Sequence, residues 1–395
     1  MHATYPVTSS QYSFYLWCKR GINVKNIGVM LDWKVLQLAL AGKQTYERLS
    51  YYKLIGEKLG LEPIFFHPCQ ANLKTREVRG LVLVRGRLVR KKVKIPRVIH
   101  NRVLEGNPRT KQIIRKLGTI GRVYNGLVVR NKWKVYRLLH SNPALRPHLP
   151  ISRTYTWNGL MDLLNHYQVV YLKPVIGSVG QGVVRIERSG PAFLWTSSSI
   201  QQKPFLRSAF RQQVGKWVGN RRFLIQQGIK LALYKGRTFD IRVSIQKNGK
   251  RLWSVSGMVA KLANRYNKLS NLAQGGSAEK LDTVLLSLFS EAEVRKIKLD
   301  IAKVGILIAK QLELTSPSLA DIGIDMGIDL EGNPYLIEVN VRDQRYSFFK
   351  AGELGMFRKT YQTPLEYGKS LLECRPISQP LLHAHSLDDD ESPSL

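Results

Sequence analysis

The chain has 395 residues with 44% hydrophobic and 23% charged content, which predicts a soluble protein of two or three domains. Its apolar runs are too short to span a bilayer, its N-terminus lacks the pattern of a signal peptide, and its three cysteines fit neither a disulfide framework nor a zinc site, so we expect a cytoplasmic protein. Its net charge of +34 attracts polyanions, including nucleic acid and anionic polymers, without specifying any one of them.

The first part of the chain alternates strands and helices. NIGVML predicts a buried strand, ERLSYYKLIGEKLGL an amphipathic helix and PIFFHP a second strand, an order typical of a parallel sheet. A hairpin pair (GLVLVRG and RLVRKKVKI), a short strand in PRVIHNRV, and a loop with a short strand over residues 117–125 follow. These elements predict an α/β domain over residues 1–125.

The densest basic stretch is RGRLVRKKVKIPR at residues 85–97. It is either the solvated face of a hairpin or a nucleic-acid site. Aromatic side chains that would stack on bases are absent from it, so we prefer the solvated face, and the chain shows no specific nucleic-acid motif.

Antiparallel strands dominate after about residue 150, beyond a predicted helix, NKWKVYRLLHS, with Asn131 as its cap. VVYLKP and GVVRIER are joined by a glycine-rich turn, and three more strands follow in RFLIQQGIKL, TFDIRVSIQK and RLWSVSGMVAKL, the last two joined at Asn248-Gly249. AEVRKIKLDIAKVGILIAKQLEL is the longest predicted helix, and the hairpin ADIGIDMGIDLEGNPYLIEVNV follows it. We predict an α+β region over 126–375 and a disordered acidic tail over 376–395.

Oxygen-bearing side chains converge in that hairpin. If the chain turns around Glu331-Gly332, Asp325 and Glu338 are equidistant from the turn and lie opposite each other. Asn340 is two residues beyond Glu338 and points to the same face. Two carboxylates and an amide among apolar residues suit Mg²⁺. The alternative is a polar sheet face whose carboxylates meet water or pair with arginines.

A lysine and a glycine-rich turn lie at the end of VVYLKP. The residues are Lys173, followed by Gly177, Ser178, Gly180 and Gly182. Glycines let the backbone approach a phosphate closely, and the lysine would add a compact charge. The order GxxxxGK[ST] is missing, so this is not a Walker A loop. The alternative is an ordinary glycine-rich hairpin with an incidental lysine.

Three further segments carry weaker signals. LIQQGIKL is either an apolar slot for a purine ring or an ordinary buried strand. GRTFDIRVSIQ places Asp240 and Arg242 on one strand face, where they form either part of a site or a simple ion pair. The loop that follows, either a site or a surface turn, is rich in amides and glycine: Asn271, Gln274, Gly275 and Gly276.

Taken in order, these features resemble the ATP-grasp superfamily, and more closely the YheC/YheD family of endospore coat-associated ATP-grasp proteins. The matching segments run from NIGVML to about Arg375 and include YLKPVIGSVGQGVVRI, IQQGI, FDIRVSIQKNG, NLAQGG and LIEVNVRDQRYSF. The resemblance implies two α+β subdomains that grip ATP behind an N-terminal α/β (pre-ATP-grasp) domain. It also implies association with the endospore, with an anionic spore or cell-envelope polymer as a candidate partner.

The resemblance assigns roles residue by residue. Lys132, with Lys134 as the alternative, matches the first nucleotide lysine, and Lys173 matches the second, on the α- and β-phosphates. Arg242 matches a basic residue near the triphosphate. The remaining matches are the adenine hinge (Gln226, Gln227, Gly228 and Ile229), the position near the transferred phosphate (Asn271), and the Mg²⁺ ligands (Asp325, Glu338 and Asn340). A two-metal site is implied, with Mn²⁺ as the alternative ion.

The implied chemistry is ATP-dependent ligation of an unidentified carboxylate to an unidentified amine through an acylphosphate, with Lys173, Arg242 and Asn271 as the catalytic candidates. A nucleotide-binding structural protein of the spore and a basic polyanion or nucleic-acid binder are the alternatives. The segment NVRDQRYSF lacks the Pro that many ATP-grasp ligases place after the equivalent of Asn340. Its Arg342 and Arg345 are interpreted either as substrate or phosphate contacts or as part of the general arginine excess.

Overall fold

The computed structural model describes residues 24–104, 106–126, 131–177, 181–197, 200, 202–263 and 276–374. These residues form two compact units, one of residues 24–122 with 368–374 and the other of residues 123–367. None of the helices in the described ranges is long and apolar enough to cross a membrane. The tail predicted over 376–395 lies outside the described residues.

The first unit is an α/β sheet domain. Its strands are β1 (Lys25–Met30), β2 (Leu61–Phe66), β3 (Ala71–Asn72), β4 (Glu77–Val84), β5 (Arg87–Lys94) and β6 (Val98–Asn101). Strand β7 (Arg122–Tyr124) begins at the boundary residue Arg122 and continues into the second unit. The helices of the first unit are α1 (Trp33–Leu40), α2 (Leu49–Leu59), α3 (Pro108–Ile120) and a 3₁₀ turn (Pro68–Gln70). The strand order is β3-β4-β2-β1-β6-β7, with β5 beside β4. Strand β1 is parallel to β2 and β6, which confirms the predicted parallel sheet.

Residues 117–125 were predicted as a loop with a short strand; the strand is confirmed as β7, but helix α3 occupies the start of the predicted loop. The side chain of Asn107 caps its first turn and Pro108 occupies the first helical position. Thr110, Ile114 and Leu117 form its buried stripe, so the helix continues to Ile120 before β7 begins. The helix is thus fixed by its cap and a narrow apolar face.

The second unit contains two antiparallel sheets, as predicted for the chain after residue 150. The smaller sheet has β8 (Ser152–Thr154), β9 (Val169–Pro174), β10 (Val184–Ser189), β11 (Ala192–Ser197), β12 (Lys203–Leu206) and β13 (Phe223–Gln227), in the order β12-β11-β10-β9-β13-β8. Helices α5 (Trp157–His166) and α6 (Arg207–Val218) pack on it. Helix α4 (Lys132–His140) and a 3₁₀ turn (Pro143–His148) instead contribute Leu139 and Leu145 to the core of the larger sheet. Phe210 of α6 stacks on Phe193 of β11, with ring centroids 4.3 Å apart, in a core that also contains α5.

The larger sheet has β14 (Leu233–Tyr234), β15 (Arg237–Lys247), β16 (Trp253–Leu262), β17 (Ser277–Glu279), β18 (Asp321–Ile328) and β19 (Pro334–Asn340), in the order β17-β16-β15-β18-β19 with β14 beside β15. Its helices are α7 (Leu281–Leu285), α8 (Glu291–Glu313), α9 (Tyr346–Lys350) and α10 (Leu354–Glu373). Ser290 and Glu293 form a capping box at the start of α8. A Cβ atom at Gly305 would lie 3.0 Å from Cδ1 of Ile245, so α8 packs closely on β15.

Strand β15 separates an apolar face from a polar one. Ile241, Val243 and Ile245 belong to the hydrophobic core that includes α8. The alternate residues Asp240, Arg242, Ser244 and Gln246 are polar, yet all of them are buried. Buried polar groups need partners, so the polar face of the larger sheet must be built from paired side chains.

Candidate functional site

The hairpin of β18 and β19 brings three predicted metal ligands together. Asp325 lies directly opposite Glu338, which confirms the predicted register. The register shifts just after this pair, because Met326 lies opposite Leu336 and Ile337 is the extra residue of a bulge. The side-chain amide of Asn340 donates a hydrogen bond from Nδ2 to Oδ2 of Asp325 at 3.0 Å.

Asp325 is held by cations. Arg242 binds it through two hydrogen bonds, from Nε to Oδ1 at 2.7 Å and from Nη2 to Oδ2 at 3.1 Å. Nζ of Lys261 lies 3.0 Å from Oδ1. Burial opposes the charge, but Arg242 and Lys261 hold the pKa of Asp325 well below its usual range. The interpretation in which a carboxylate pairs with cations therefore describes Asp325.

Lys261 is a buried cation that the sequence reasoning missed. It lies opposite Asp240 in the pairing of β15 with β16, and its Nζ is 2.8 Å from Oδ1 of Asp240. Burial disfavours the ammonium, but Asp240 and Asp325 raise the pKa of Lys261 above its usual value. An Asp240–Arg242 ion pair was one of the two interpretations of β15. Asp240 instead pairs with Lys261, and Arg242 pairs with Asp325.

Counting back from the Asn248-Gly249 turn would place Gly257 opposite Asp240. The wider turn between Lys247 and Trp253 and the register shift after Ser244 move the partner to Lys261, so the sequence offered no sufficient signal for this pair.

A second layer of polar groups lies behind Arg242. Nη1 of Arg242 donates to the carbonyl of Gln344 at 3.1 Å and lies 3.6 Å from Oδ1 of Asp343. The hydroxyl of Ser244 donates to Asp343, and burial, opposed by Arg242, raises the pKa of Asp343 to about 6. This layer fixes the guanidinium from the side opposite Asp325.

Arg342 and Arg345 have internal partners. Nη2 of Arg342 donates to the carbonyls of Asn125 at 2.6 Å and Gly126 at 2.8 Å. Nη2 of Arg345 donates to Oδ2 of Asp321 at 2.6 Å, and its guanidinium lies 4.4 Å from the ring centroid of Tyr361. Both arginines are buried, and each of these contacts is to another part of the chain.

Lys132 connects two predicted parts of the site. Asn131 caps α4 by accepting hydrogen bonds from two backbone amides, as predicted, and so fixes the position of the next residue. Nζ of Lys132 donates to the carbonyl of Gly177 at 2.7 Å and lies 3.0 Å from Oε1 of Glu338. Of the two candidate lysines, Lys132 is the one that these contacts place beside the glycine-rich turn and the hairpin.

Lys173 lies on the smaller sheet beside the hinge. Its Nζ donates to Oε1 of Gln226 at 2.5 Å, and Nε2 of Gln226 donates to the hydroxyl of Ser152 at 2.9 Å. Burial lowers the pKa of Lys173 to about 8; Glu338 opposes this shift and Lys132 adds to it. An anionic group that replaced Gln226 as its partner would therefore stabilise the ammonium.

Two backbone amides of the hinge are hydrogen-bonded to other parts of the chain. The amide of Gln227 donates to the carbonyl of Ile151, and that of Gly228 to the carbonyl of Val169, both at 2.8 Å. Within the described ranges, the carbonyl of Gly228 and the backbone of Ile229 have no backbone hydrogen bond. Adenine recognition by this hinge would therefore fall to Gly228 and Ile229.

The glycine-rich turn is described only at its two ends. Gly182 has φ 74°, and a Cβ atom there would lie 2.9 Å from Cγ of Pro174, so both conformation and space favour glycine. Its carbonyl accepts a hydrogen bond from Nε1 of Trp217 at 3.1 Å. Ser178, Gly180, Asn271, Gln274 and Gly275 lie outside the described residues.

The oxygen donors partly fit a magnesium ion. The side chain of Glu338 is 31% exposed. The hydrogen bond from Asn340 to Asp325 uses the amide nitrogen, so the amide oxygen of Asn340 could bind a metal ion. Carboxylate and amide oxygens are the ligands that Mg²⁺ takes. Each oxygen of Asp325 already has two hydrogen-bonding partners, so Asp325 fits as a ligand only if one of them is released.

Comparisons with known proteins agree with this architecture. The family model "YheC/D like ATP-grasp" matches residues 121–371. The chain is 26% identical over 349 residues to the endospore coat-associated protein YheD of Bacillus subtilis strain 168, covering 84% of this chain and 76% of that protein. It is 20% identical over 265 residues to YheC of the same strain, covering 65% and 73%.

Among solved structures, VanG D-Ala:D-Ser ligase from Enterococcus faecalis superposes with a TM-score of 0.50 at 11% identity, covering 87% of this chain and 99% of that one. At this identity the likeness shows the fold alone. Together with the family match, it confirms the expected combination of α/β and α+β architecture. The chain belongs to the YheC/D-like ATP-grasp family.

Proposed function

We propose that the protein binds Mg²⁺-ATP and uses it to join a carboxylate to an amine. The observation that carries the proposal is the position of Lys132, whose ammonium contacts both the carbonyl of Gly177 and the carboxylate of Glu338. The ammonium of Lys132 thereby brings the glycine-rich turn close to the β18–β19 hairpin, which carries the candidate metal ligands. An ATP molecule whose phosphates also bind a metal ion requires the phosphate-binding turn and the metal ligands to lie close together.

The nucleotide would lie along the smaller sheet. Lys132 and Lys173 would bind phosphate oxygens, and Gly177 and Gly182 would let the turn approach them. Gln226 gives up its hydrogen bond to Lys173 when a phosphate takes that position. The part of the hinge backbone that makes no backbone hydrogen bond, the carbonyl of Gly228 and the backbone of Ile229, would receive the adenine.

The metal would be held by Glu338 and Asn340, with Asp325 completing the set if it releases a partner. A bound Mg²⁺ would neutralise charge on the phosphates and orient them. Asp325 also fixes Arg242 and Lys261, which are buried cations at the same face of the larger sheet. Fixed charges in a buried site stabilise a developing negative charge more strongly than mobile ones in water.

The reaction would follow two steps. An oxygen of the carboxylate forms a bond to the γ-phosphorus while the bond to the β,γ-bridging oxygen breaks, which releases ADP and leaves an acylphosphate. The amine then attacks the acyl carbon, phosphate leaves, and the amine loses a proton. Arg242 and Lys173 would stabilise the transferred group, with Lys261 as a third cation and Asn271 as a further candidate.

Turnover tests this proposal. The full chain would be incubated with Mg²⁺-ATP and pools of amino acids and dipeptides, each pool supplied as carboxylate, as amine or as both, and released ADP and phosphate would be measured. We expect equimolar ADP and phosphate only when both substrates are present, and none with Lys173→Ala. Steady ADP release without either substrate would contradict ligation.

A nucleotide-binding protein of the endospore coat is the second candidate, because both curated relatives carry the name endospore coat-associated protein. Saturable Mg²⁺-ATP binding without turnover in any pool would favour it. Fractionation of spores that express a tagged chain tests the association itself, with recovery in the coat extract as the expected result. Recovery only in the soluble lysate would reject it.

A further inference from the structure

The hairpin of β4 and β5 concentrates positive charge. Residues 76–97 contain nine lysines and arginines and one carboxylate, Glu77, so this segment supplies +8 of the net charge of +34. The cations are Arg76, Arg79, Arg85, Arg87, Arg90, Lys91, Lys92, Lys94 and Arg97. The candidate ATP site uses none of them.

Strand β5 presents these cations on both of its faces. It is hydrogen-bonded to β4 only, among the strands of the described residues. All five of its cations are exposed: Arg87, Arg90, Lys91, Lys92 and Lys94. Because side chains alternate along a strand, Arg90, Lys92 and Lys94 lie on one face, spaced by ~6.8 Å, and Arg87 and Lys91 lie on the other.

The cations of the hairpin repel one another. Lys92 lies directly opposite Arg79 in the pairing of β5 with β4, and like charges in that position destabilise a sheet. Lys92 is partly compensated by Glu77, 2.8 Å away. Within the described ranges, no carboxylate lies within ion-pair distance of Arg87, Arg90 or Lys91. An anionic partner would relieve this repulsion.

The turn of the hairpin also retains a cation where a neutral residue fits better. Arg85 and Gly86 are its two central residues, with φ of 47° and 79°. A two-residue turn with positive φ at both positions favours Asn-Gly or Asp-Gly, because a bulky side chain is strained there. Arg76, at the other end of β4, also has a positive φ, 53°. The sequence thus keeps arginines at both turns at the expense of backbone strain.

We propose that this hairpin binds the phosphate backbone of duplex nucleic acid without reading its sequence. Strand β5 is the outer strand at this edge, because β4 also pairs with β2. Such an exposed strand can lie along the major groove, where phosphates line both walls. Cations on both faces of β5 suit such a groove, whereas a flat anionic bilayer would meet only one face. Strand β5 contains no aromatic residue, so base stacking does not contribute.

The test measures binding of the full chain to a fluorescent 20-base-pair duplex of random sequence across a salt series. One variant carries Arg87→Gln, Arg90→Gln, Lys92→Gln and Lys94→Gln. The control removes the same charge from exposed positions of α8, through Arg295→Gln, Lys296→Gln, Lys303→Gln and Lys310→Gln. We expect the slope of log K against log salt to fall by about 4 in the first variant and by less than about 1 in the control.

Equal losses in the two variants would mean that the general positive field binds DNA, and they would overturn the proposal. So would capture of the wild type by phosphatidylserine vesicles without duplex binding. Arg85→Asn separates folding from binding, because it relieves the strained turn. It should raise Tm while lowering the salt slope by about 1; an unchanged slope for both Arg85→Asn and the four-site hairpin variant would also overturn the proposal.

Discussion

Nζ of Lys132 lies 3.0 Å from Oε1 of Glu338, and this contact joins the first turn of α4 to the last residues of β19. The same ammonium donates to the carbonyl of Gly177. Both side chains remain partly exposed, at 21% and 31%, so an incoming phosphate and metal ion can exchange for this pair. A surface-accessible ion pair contributes only about 0–1 kcal/mol to stability, so its arrangement bears on binding more than on folding.

Substituting Lys132 should weaken ATP binding without unfolding the chain. Lys132→Ala removes a charged hydrogen-bond donor to phosphate, worth about 1.5–3 kcal/mol, or tenfold or more in Kd. Lys134→Ala is the matched control, because it removes a lysine two residues later in the same helix. Calorimetric titration with Mg²⁺-ATP checks the pair. Equal losses in the two variants would remove Lys132 from the nucleotide site.

ATP binding should depend on pH through Lys173. Burial lowers the pKa of Lys173 to about 8, and phosphate favours the ammonium, so binding above pH 8 must take up a proton. We expect affinity to fall by up to about tenfold per pH unit above pH 8. Calorimetry at pH 8.5 in buffers of different ionisation enthalpy would report the proton uptake. Lys173→Arg should lack it, and equal uptake in both proteins would contradict the assignment.

The lowered pKa of Lys173 should also make the free energy of unfolding depend on pH. The folded pKa of Lys173 lies below the ordinary lysine value of 10.5, so the unfolded chain binds more protons between about pH 8 and 10.5. The contribution of Lys173 to the free energy of unfolding therefore rises with pH across this window. Denaturant titrations of the wild type and Lys173→Met at pH 7.5 and 9.5 measure it. A difference between the two proteins that does not change with pH would contradict the shift.

The register of the metal hairpin was predictable, but the partners of its carboxylate were not. Equal distance from the Glu331-Gly332 turn was enough to place Asp325 opposite Glu338. The pairing of Asp325 with Arg242 and Lys261 depends on β15 and β16, which lie far away in sequence. Many arginines and lysines were available, and local pattern does not rank them. The alternation of polar and apolar residues along β15 is typical of a strand with one face in water. The structure shows that the polar face of β15 is buried as well.

Removing the charge of Asp325 should destabilise the fold. Asp325→Asn would leave Arg242 and Lys261 buried with less compensation, which costs about 3–5 kcal/mol. Glu338→Gln, on the neighbouring strand and partly exposed, should cost no more than about 1 kcal/mol. Denaturant unfolding followed by circular dichroism compares the two. Similar unfolding free energies for both variants would show that Asp325 is not needed to stabilise the cluster.

Gly228 should be sensitive to a single methyl group. A Cβ atom there would lie 2.5 Å from Cγ1 of Val169 and 2.9 Å from its carbonyl oxygen, so Gly228→Ala must displace the hinge. We expect a loss of about 1–3 kcal/mol in stability together with weaker ATP binding. Gly215→Ala on the exposed side of α6 meets nothing within 4 Å and should stabilise by about 0.5–1 kcal/mol. Thermal unfolding distinguishes them, and a neutral Gly228→Ala would contradict the close packing.

Helix α3 was not predicted from the sequence. Its buried stripe has only three members, one of them Thr110. The residues between them are mostly polar: Lys111, Gln112, Ile113, Arg115 and Lys116. That pattern gives a weak apolar period. Asn107 as a cap and Pro108 at the first helical position indicate where α3 begins, but they do not indicate the residue at which it ends. Long helices with a wide apolar face, such as α8, were predictable for the opposite reason.

The central claim is that Lys173 and Glu338 act in one Mg²⁺-dependent ATP site. Isothermal titration of ATP into the wild type, Lys173→Ala and Glu338→Ala, each with Mg²⁺ and with chelator, tests it most directly. We predict tight binding only for the wild type with Mg²⁺, and loss of that binding in both variants while their circular dichroism is unchanged. Unchanged nucleotide affinity in both folded variants would contradict the account.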